Sequence, residues 1–182
     1  MEKAFEKIIE KISTYNIFNF ILPGAVFAYI SRELLNKNFL MNSWIENIII
    51  CYFIGMILSR IGSLIIEPIL HKFKVKYKPY SEYVEASKDD STIPILLETN
   101  NMYRTFIVVF GGLALYKAYL YLEQFIMRNN STVFNEIKQF IFLIALTVLF
   151  IASFVKQTGF IRSRIELHKN NKTKSTHSII TK

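Results

Sequence analysis

Three ionisable residues lie inside stretches of the chain that are otherwise apolar: Arg60, Glu67 and Lys117. An ion in hydrocarbon costs about 2.5–3.5 kcal/mol on insertion scales, so such groups face protein or water. Arg60 is flanked by Ser59 and Gly62, and Glu67 follows two helical turns later, just before Pro68. On a regular helix the two share a face with Ser63 and Leu64, at a rise of about 10 Å. That is too long for direct contact and implies a bridge through water, another helix or a second copy. The chemistry open to the pair is a polar path or a charge that senses its surroundings. The plainer alternative is a structural ion pair near the interface, or snorkelling. Lys117, with Glu123 beyond it, lies within snorkelling distance of the outer surface, and Tyr116, Tyr119 and Tyr121 read as an aromatic belt.

The elements that must hold these groups are four apolar stretches: Tyr15–Leu35, Trp44–Leu70, Met102–Leu122 and Ile137–Thr158. Each approaches the roughly 20 residues that cross about 30 Å of hydrocarbon as a helix. Apolar residues make up 52% of the chain, more than the remaining polar residues of a 182-residue soluble domain could cover. The weakest stretch is the first, where Pro23-Gly24 interrupts Ile17–Ile30, and a kinked or re-entrant segment is its alternative. The expected fold class is all-α: a four-helix transmembrane bundle with an N-terminal amphipathic helix and a small helical loop. The units are an interfacial helix over 1–14, spans one and two over 15–70, a helical loop over 71–101, spans three and four over 102–160, and a basic tail over 161–182.

Lysine and arginine alternate between these units. They crowd the N-terminal segment, the second loop and the tail, and thin out in the loops after the first and third spans. The positive-inside rule then places both termini and the second loop in the cytoplasm of a bacterial inner membrane. The net charge of +8 is read as attraction to an anionic leaflet, not as direct nucleic-acid binding. Within Glu2–Ile12, Phe5, Ile8, Ile9 and Ile12 share a helical face, fitting a helix in the interface or one packed on the second loop.

Gly55, Ser59 and Ser63 recur at spacing four, and Gly62 joins their face. Such a small-residue stripe lets helix backbones approach closely, within one chain or between copies. Gly111-Gly112 offers a matching shallow surface. In the second loop, Lys72, Lys74, Lys76 and Lys78 alternate with His71, Phe73, Val75 and Tyr77, which in extended form gives one cationic and one apolar face for membrane contact. A helix is expected over Tyr80–Asp90, opened by Pro79. Another begins near Ser91–Pro94 and either stops short of the third span or runs through Glu98–Arg104 into it. Asn100, Asn101, Tyr103 and Arg104 make the entrance of that span unusually polar: a headgroup or ligand contact, the partner of Glu67, or only an interface signal. The tail after Ile165 reads as disordered or loosely lipid-bound. Asn129–Thr132 carries overlapping glycosylation sequons.

No Gly-rich phosphate loop, HExxH, GxSxG or Cys/His metal spacing is present, and the one cysteine, Cys51, lies within a span. No cofactor or metal is expected, and an embedded enzyme is the least supported reading. The plan resembles the small four-span membrane subunits of bacterial antiphage defence systems, such as the membrane component of Kiwa and four-span effectors of nucleotide-signalling systems. The stretches that carry the resemblance are Asn19–Gly24, Ser59–Ser63 with Glu67-Pro68, and Glu98–Arg104. It implies a non-enzymatic homo-oligomeric subunit that contacts lipid and either docks a cytoplasmic protein or perturbs the membrane when triggered. The rival is an ion-conducting pore using Arg60 and Glu67.

Overall fold

The computed structural model of the chain describes residues 16–72, 75, 78–126 and 133–180, and among them there is helix and connecting loop but no strand. Four helical stretches are long and apolar enough to cross a membrane: Ile17–Leu35 (α1), Trp44–Lys72 (α2), Thr92–Glu123 and Ile137–Asn170. The third belongs to a longer helix, α4 (Thr92–Ile126), and the fourth to α5 (Val133–Ile180); a short α3 (Tyr80–Asp89) stands between α2 and α4. The expected helix over Glu2–Ile12, the residues Lys74 and Lys76, and the sequons at 129–132 lie outside the described residues.

Pro23 lacks the N–H that would bond back along α1. The backbone accommodates it with a π turn at Ile17–Ile21, after which Pro23 falls in the first turn of the regular helix Leu22–Leu35. The segment is therefore one helix of 19 residues, about 28 Å long. It ends at Asn36, which takes a left-handed φ of 52°, while the Lys37 N–H donates to the Ser31 carbonyl at 3.1 Å. The following loop is tied to α2, where the Asn47 side chain accepts from the Met41 N–H (2.7 Å) and donates to its carbonyl (3.1 Å).

A second π turn, Gly62–Ile66, interrupts α2. Its wider pitch rotates everything beyond it relative to a 3.6-residue period. Arg60 consequently leaves the face of Glu67, against the expectation from regular spacing. Arg60 is exposed on a strip with Phe53, Ile57 and Leu64, whereas Glu67 is half-buried against α4.

α1 and α2 cross at two glycines. A Cβ built on Gly24 would overlap the Cys51 carbonyl oxygen and lie 2.7 Å from its carbon; one on Gly55 would lie 2.6 Å from the Phe20 carbonyl carbon. Gly62 faces α4, where an added Cβ would sit 3.2 Å from Arg104 Cγ. The glycines of the stripe thus pack within the chain, with Ser59 and Ser63 half-buried beside them. Gly111 and Gly112 are not their counterpart: Gly111 faces Thr147 of α5, and Gly112 has open space beside it.

α4 is the central helix. Phe106 and Phe110 stack with Phe150 of α5 at centroid distances of 4.8 and 5.4 Å, next to buried Leu58, Val109, Leu113 and Leu143. At 35 and 48 residues, α4 and α5 measure about 52 and 72 Å, far beyond a hydrocarbon core. Toward one end both pack with α3 in a cap rich in charged residues. The tail after Ile165, expected to be disordered or loosely lipid-bound, is helical, the continuation of α5 as far as Ile180.

Candidate functional site

The cap begins with Asp90, which ends α3 and starts α4. Its Oδ1 accepts from the Thr92 N–H at 3.0 Å, and Pro94 occupies the first turn, where its missing N–H costs nothing. Arg164 of α5 donates to the same carboxylate through Nε, through Nη2 at 3.3 Å, and to Thr92 Oγ1 at 3.3 Å. The Arg164 guanidinium and, after it, the Thr92 N–H hold the Asp90 carboxyl below its ordinary range. Ala86 of α3 buries against Ile93, Ile161 and Ile165, with Tyr83, Leu96 and Leu97 around them. Three helices thereby share one small apolar core.

Charges knit the rim of this core. Glu166 bridges Lys78 (2.9 Å) and Arg162 (3.0 Å), and Glu82 lies 3.0 Å from Lys169 and 3.9 Å from Lys78. His168 Nε2 is 3.3 Å from Asp89 Oδ2. Lys78, expected at the lipid surface, is therefore half-buried among cap carboxylates, and Arg162, Arg164 and Lys169 of the tail pair with Glu166, Asp90 and Glu82. Lys72 is exposed at the end of α2.

Beneath the rim is a polar floor. Arg104 Nη1 donates to Glu67 Oε2, so the residue at the entrance of the third span is the partner of Glu67. Asn100, 3% exposed, donates from Nδ2 to Thr158 Oγ1 at 3.1 Å, and Thr158 donates to the Phe154 carbonyl at 2.8 Å. The Gln157 amide donates to the Leu96 carbonyl at 3.2 Å. Neighbouring expectations take structural roles: the Asn101 carbonyl accepts from Thr105 Oγ1 at 2.9 Å, and the Tyr103 ring lies 6.0 Å from Phe150.

Between rim and floor is a cleft of about 250 Å³. α2 contributes Glu67 and His71; α4 contributes Leu97 and Asn100; α5 contributes Thr158, Ile161, Arg162 and Ile165. Lys78, Tyr80 and Tyr83 close the outer side, with the two tyrosine rings stacked at 6.0 Å. Such a mostly apolar concavity with a few convergent polar groups has the character of a small-molecule site. Among the described residues, no three His, Cys, Asp or Glu side chains converge as metal ligands would.

Two intramembrane expectations change. Lys117 is not directed to the outer surface but buried at 3% exposure beside a second cavity with Ala118, Tyr121, Leu122, Ile137 and Phe140. It continues the buried stripe of α4 one turn beyond Leu113 and Ala114. Arg60 takes no part in the cleft. Sequence reading missed Thr158 and Arg162, whose partners Asn100 and Lys78 lie far away in the chain, and it missed Gly24 as the counterpart of Gly55.

No protein-family model matches the chain, and no curated protein or solved structure is significantly similar to it.

Proposed function

We propose that the chain is a non-enzymatic subunit of the bacterial inner membrane, a four-helix transmembrane bundle with both termini and the cap in the cytoplasm. It oligomerises, and its cap receives a cytoplasmic partner. The observation that supports this best is the continuity of α4 and α5, which run unbroken from apolar span to polar cap. Whatever binds the cap acts directly on the two helices that carry most of the transmembrane core. Oligomerisation is assigned to the outward strip of α2, where exposed Arg60 lies among Phe53, Ile57 and Leu64. A cation on an otherwise apolar strip is better placed against a second copy or a phosphate layer than in acyl chains. The antiphage setting rests on the resemblance carried by Asn19–Gly24, Ser59–Ser63 and Glu98–Arg104.

The test separates the two surfaces. In native membranes, Tyr80→Ser with Leu167→Ser, both exposed on the cap, is expected to abolish co-purification of the soluble partner and leave the oligomer intact. Leu64→Ser with Arg60→Ala is expected to dissociate the oligomer. If neither pair changes assembly, the reading fails. The exposure of Arg60 also favours a second reading, a pore formed between copies. That reading requires ion flux in liposomes that Arg60→Ala alters.

A further inference from the structure

Three of the spans enclose a cavity of about 460 Å³ that shares no residue with the cap cleft. Its walls are Phe27 and Leu35 of α1, Leu58 and Ile61 of α2, and Val108 and Leu113 of α4. All six belong to the stretches long and apolar enough to cross a membrane. Ser31 also lines the cavity, but its Oγ is covered, so these walls offer hydrocarbon alone. Gly112 completes the lining, and a Cβ added there would meet nothing within 4 Å, so its missing side chain is part of the cavity. Gly112 is itself exposed, which opens the cavity to whatever surrounds α4. From Val108 to Tyr116 the cavity follows α4 for about 12 Å, most of the roughly 15 Å of one hydrocarbon leaflet. Apolar walls lose dispersion energy wherever no atom faces them, and a water there would find too few polar partners. An acyl chain supplies those contacts.

The end away from the cap carries a charge. The left-handed Asn36 closes α1, and the Lys37 N–H on the Ser31 carbonyl fixes Lys37 at the mouth of the cavity. Phe39 folds back on Phe27, with ring centroids 5.8 Å apart, and holds the loop against the opening. Among the described residues no carboxylate pairs with the exposed Lys37 ammonium: Glu33 is taken by Arg32 at 2.9 Å, and neither Glu46 nor Glu123 forms an ion pair with it. Half-buried Tyr116 lines the same end, as an amphipathic ring does at a membrane interface.

We propose that this cavity seats one acyl chain of an anionic glycerophospholipid, with the lipid phosphate against the Lys37 ammonium. The occupant is a bilayer lipid and not a soluble ligand, because the walls belong to the spans and the cation stands at their ends. The proposal rests on the membrane placement of the bundle given above, and on neither its oligomer nor its cap partner.

The full chain is reconstituted in phosphatidylcholine liposomes with a trace of phosphatidylglycerol, or of phosphatidylcholine, carrying a diazirine at the tail of one acyl chain. Crosslinked residues are read by mass spectrometry. Exposed Leu115 and Val148 report the surrounding bilayer and should take label equally from both probes. Buried Leu58 and Val108 should favour the phosphatidylglycerol probe by about fivefold, the roughly 1 kcal/mol that one lysine gains at an anionic surface. That comparison needs no variant, so misfolding cannot obscure it. Gly112→Leu puts a side chain into the cavity and should remove label from Leu58 and Val108 while Leu115 and Val148 keep theirs. Lys37→Gln should keep the label on Leu58 and Val108 and bring the two probes level. Equal labelling of Leu58 and Val108 by both probes in the native chain, no label on either, or label that survives Gly112→Leu overturns the proposal. Loss of label from Leu115 and Val148 as well would overturn the membrane placement with it.

Discussion

The crossing of α1 and α2 gives the sharpest test of the architecture. Gly24→Ala places a methyl group on the Cys51 carbonyl, 2.7 Å from its carbon and 3.0 Å from the Gly55 nitrogen. Carbon atoms pack at about 3.5–4.0 Å, so the helices must part by roughly 1 Å, a gap that forfeits a quarter to a half of each contact's dispersion energy. Backbone cannot yield as a flexible side chain does, and overpacking of this kind costs about 1–3 kcal/mol. Gly112→Ala is the internal control: nothing lies within 4 Å of its added Cβ, so only helix propensity acts, favouring alanine by up to about 1 kcal/mol. Two native reporters serve the assay. Trp44, the one tryptophan, begins α2, and Cys51, the one cysteine, is buried at 6% exposure at the crossing itself. In detergent titrations followed by Trp44 fluorescence, Gly24→Ala should lower the unfolding midpoint and speed alkylation of Cys51 by a membrane-permeant maleimide. Gly112→Ala should do neither. If the two variants behave alike, the backbone contact is not there and the arrangement of α1 on α2 is wrong.

Removing one member of the Glu67–Arg104 pair strands a partly buried charge: Glu67→Gln should destabilise by about 1–3 kcal/mol, and the double variant with Arg104→Gln by less than the sum of the singles, read as the coupling in a double-mutant cycle. Thr158→Val deprives the Asn100 amide of its acceptor and should cost about 1–2 kcal/mol in the same titration. Because Arg164 lowers the Asp90 carboxyl, its contribution is present above the ordinary aspartate value and is lost as pH falls through the depressed one. Acidification across that window should raise hydrogen exchange in Tyr80–Asp89, and Asp90→Asn should flatten the dependence.

The spans were legible in the sequence because hydrocarbon imposes a length and a polarity that any adequate helix must show. Leu35, Trp44 and Pro79 mark element ends in the sequence, and the structure keeps those ends. What escaped was set by register and by distant pairing. One π turn at Gly62–Ile66 undid the shared face of Arg60 and Glu67, since periodicity arguments assume an unbroken 3.6-residue pitch. The charge of Lys117 argues for the surface, whereas its spacing from Leu113 argues for the buried stripe, and the spacing prevails.

The cap shows the same limit more strongly. Residues 161–170 look polar, basic and unpatterned when read alone. Their order comes from partners distant in the chain: Asp90 for Arg164, Glu82 for Lys169, and Ala86 and Ile93 for Ile161 and Ile165. Exposed ion pairs of this sort are individually worth only about 0–1 kcal/mol, so they do not hold the helix in place. The small apolar core does that, and the charges fix the rotation of α5 over it. That rotation brings Thr158 under Asn100 and Arg162 to the mouth beside Lys78, so the cleft exists only when α5 is helical through the cap. A proline at Ser163 would break the helix at a cost of about 3 kcal/mol or more and separate Arg164 from Asp90 while leaving the apolar span intact. The expected result is a chain that still inserts and protects Cys51 but loses protection across Tyr80–Asp89. Retained protection there would mean that α3 is held by something other than α5.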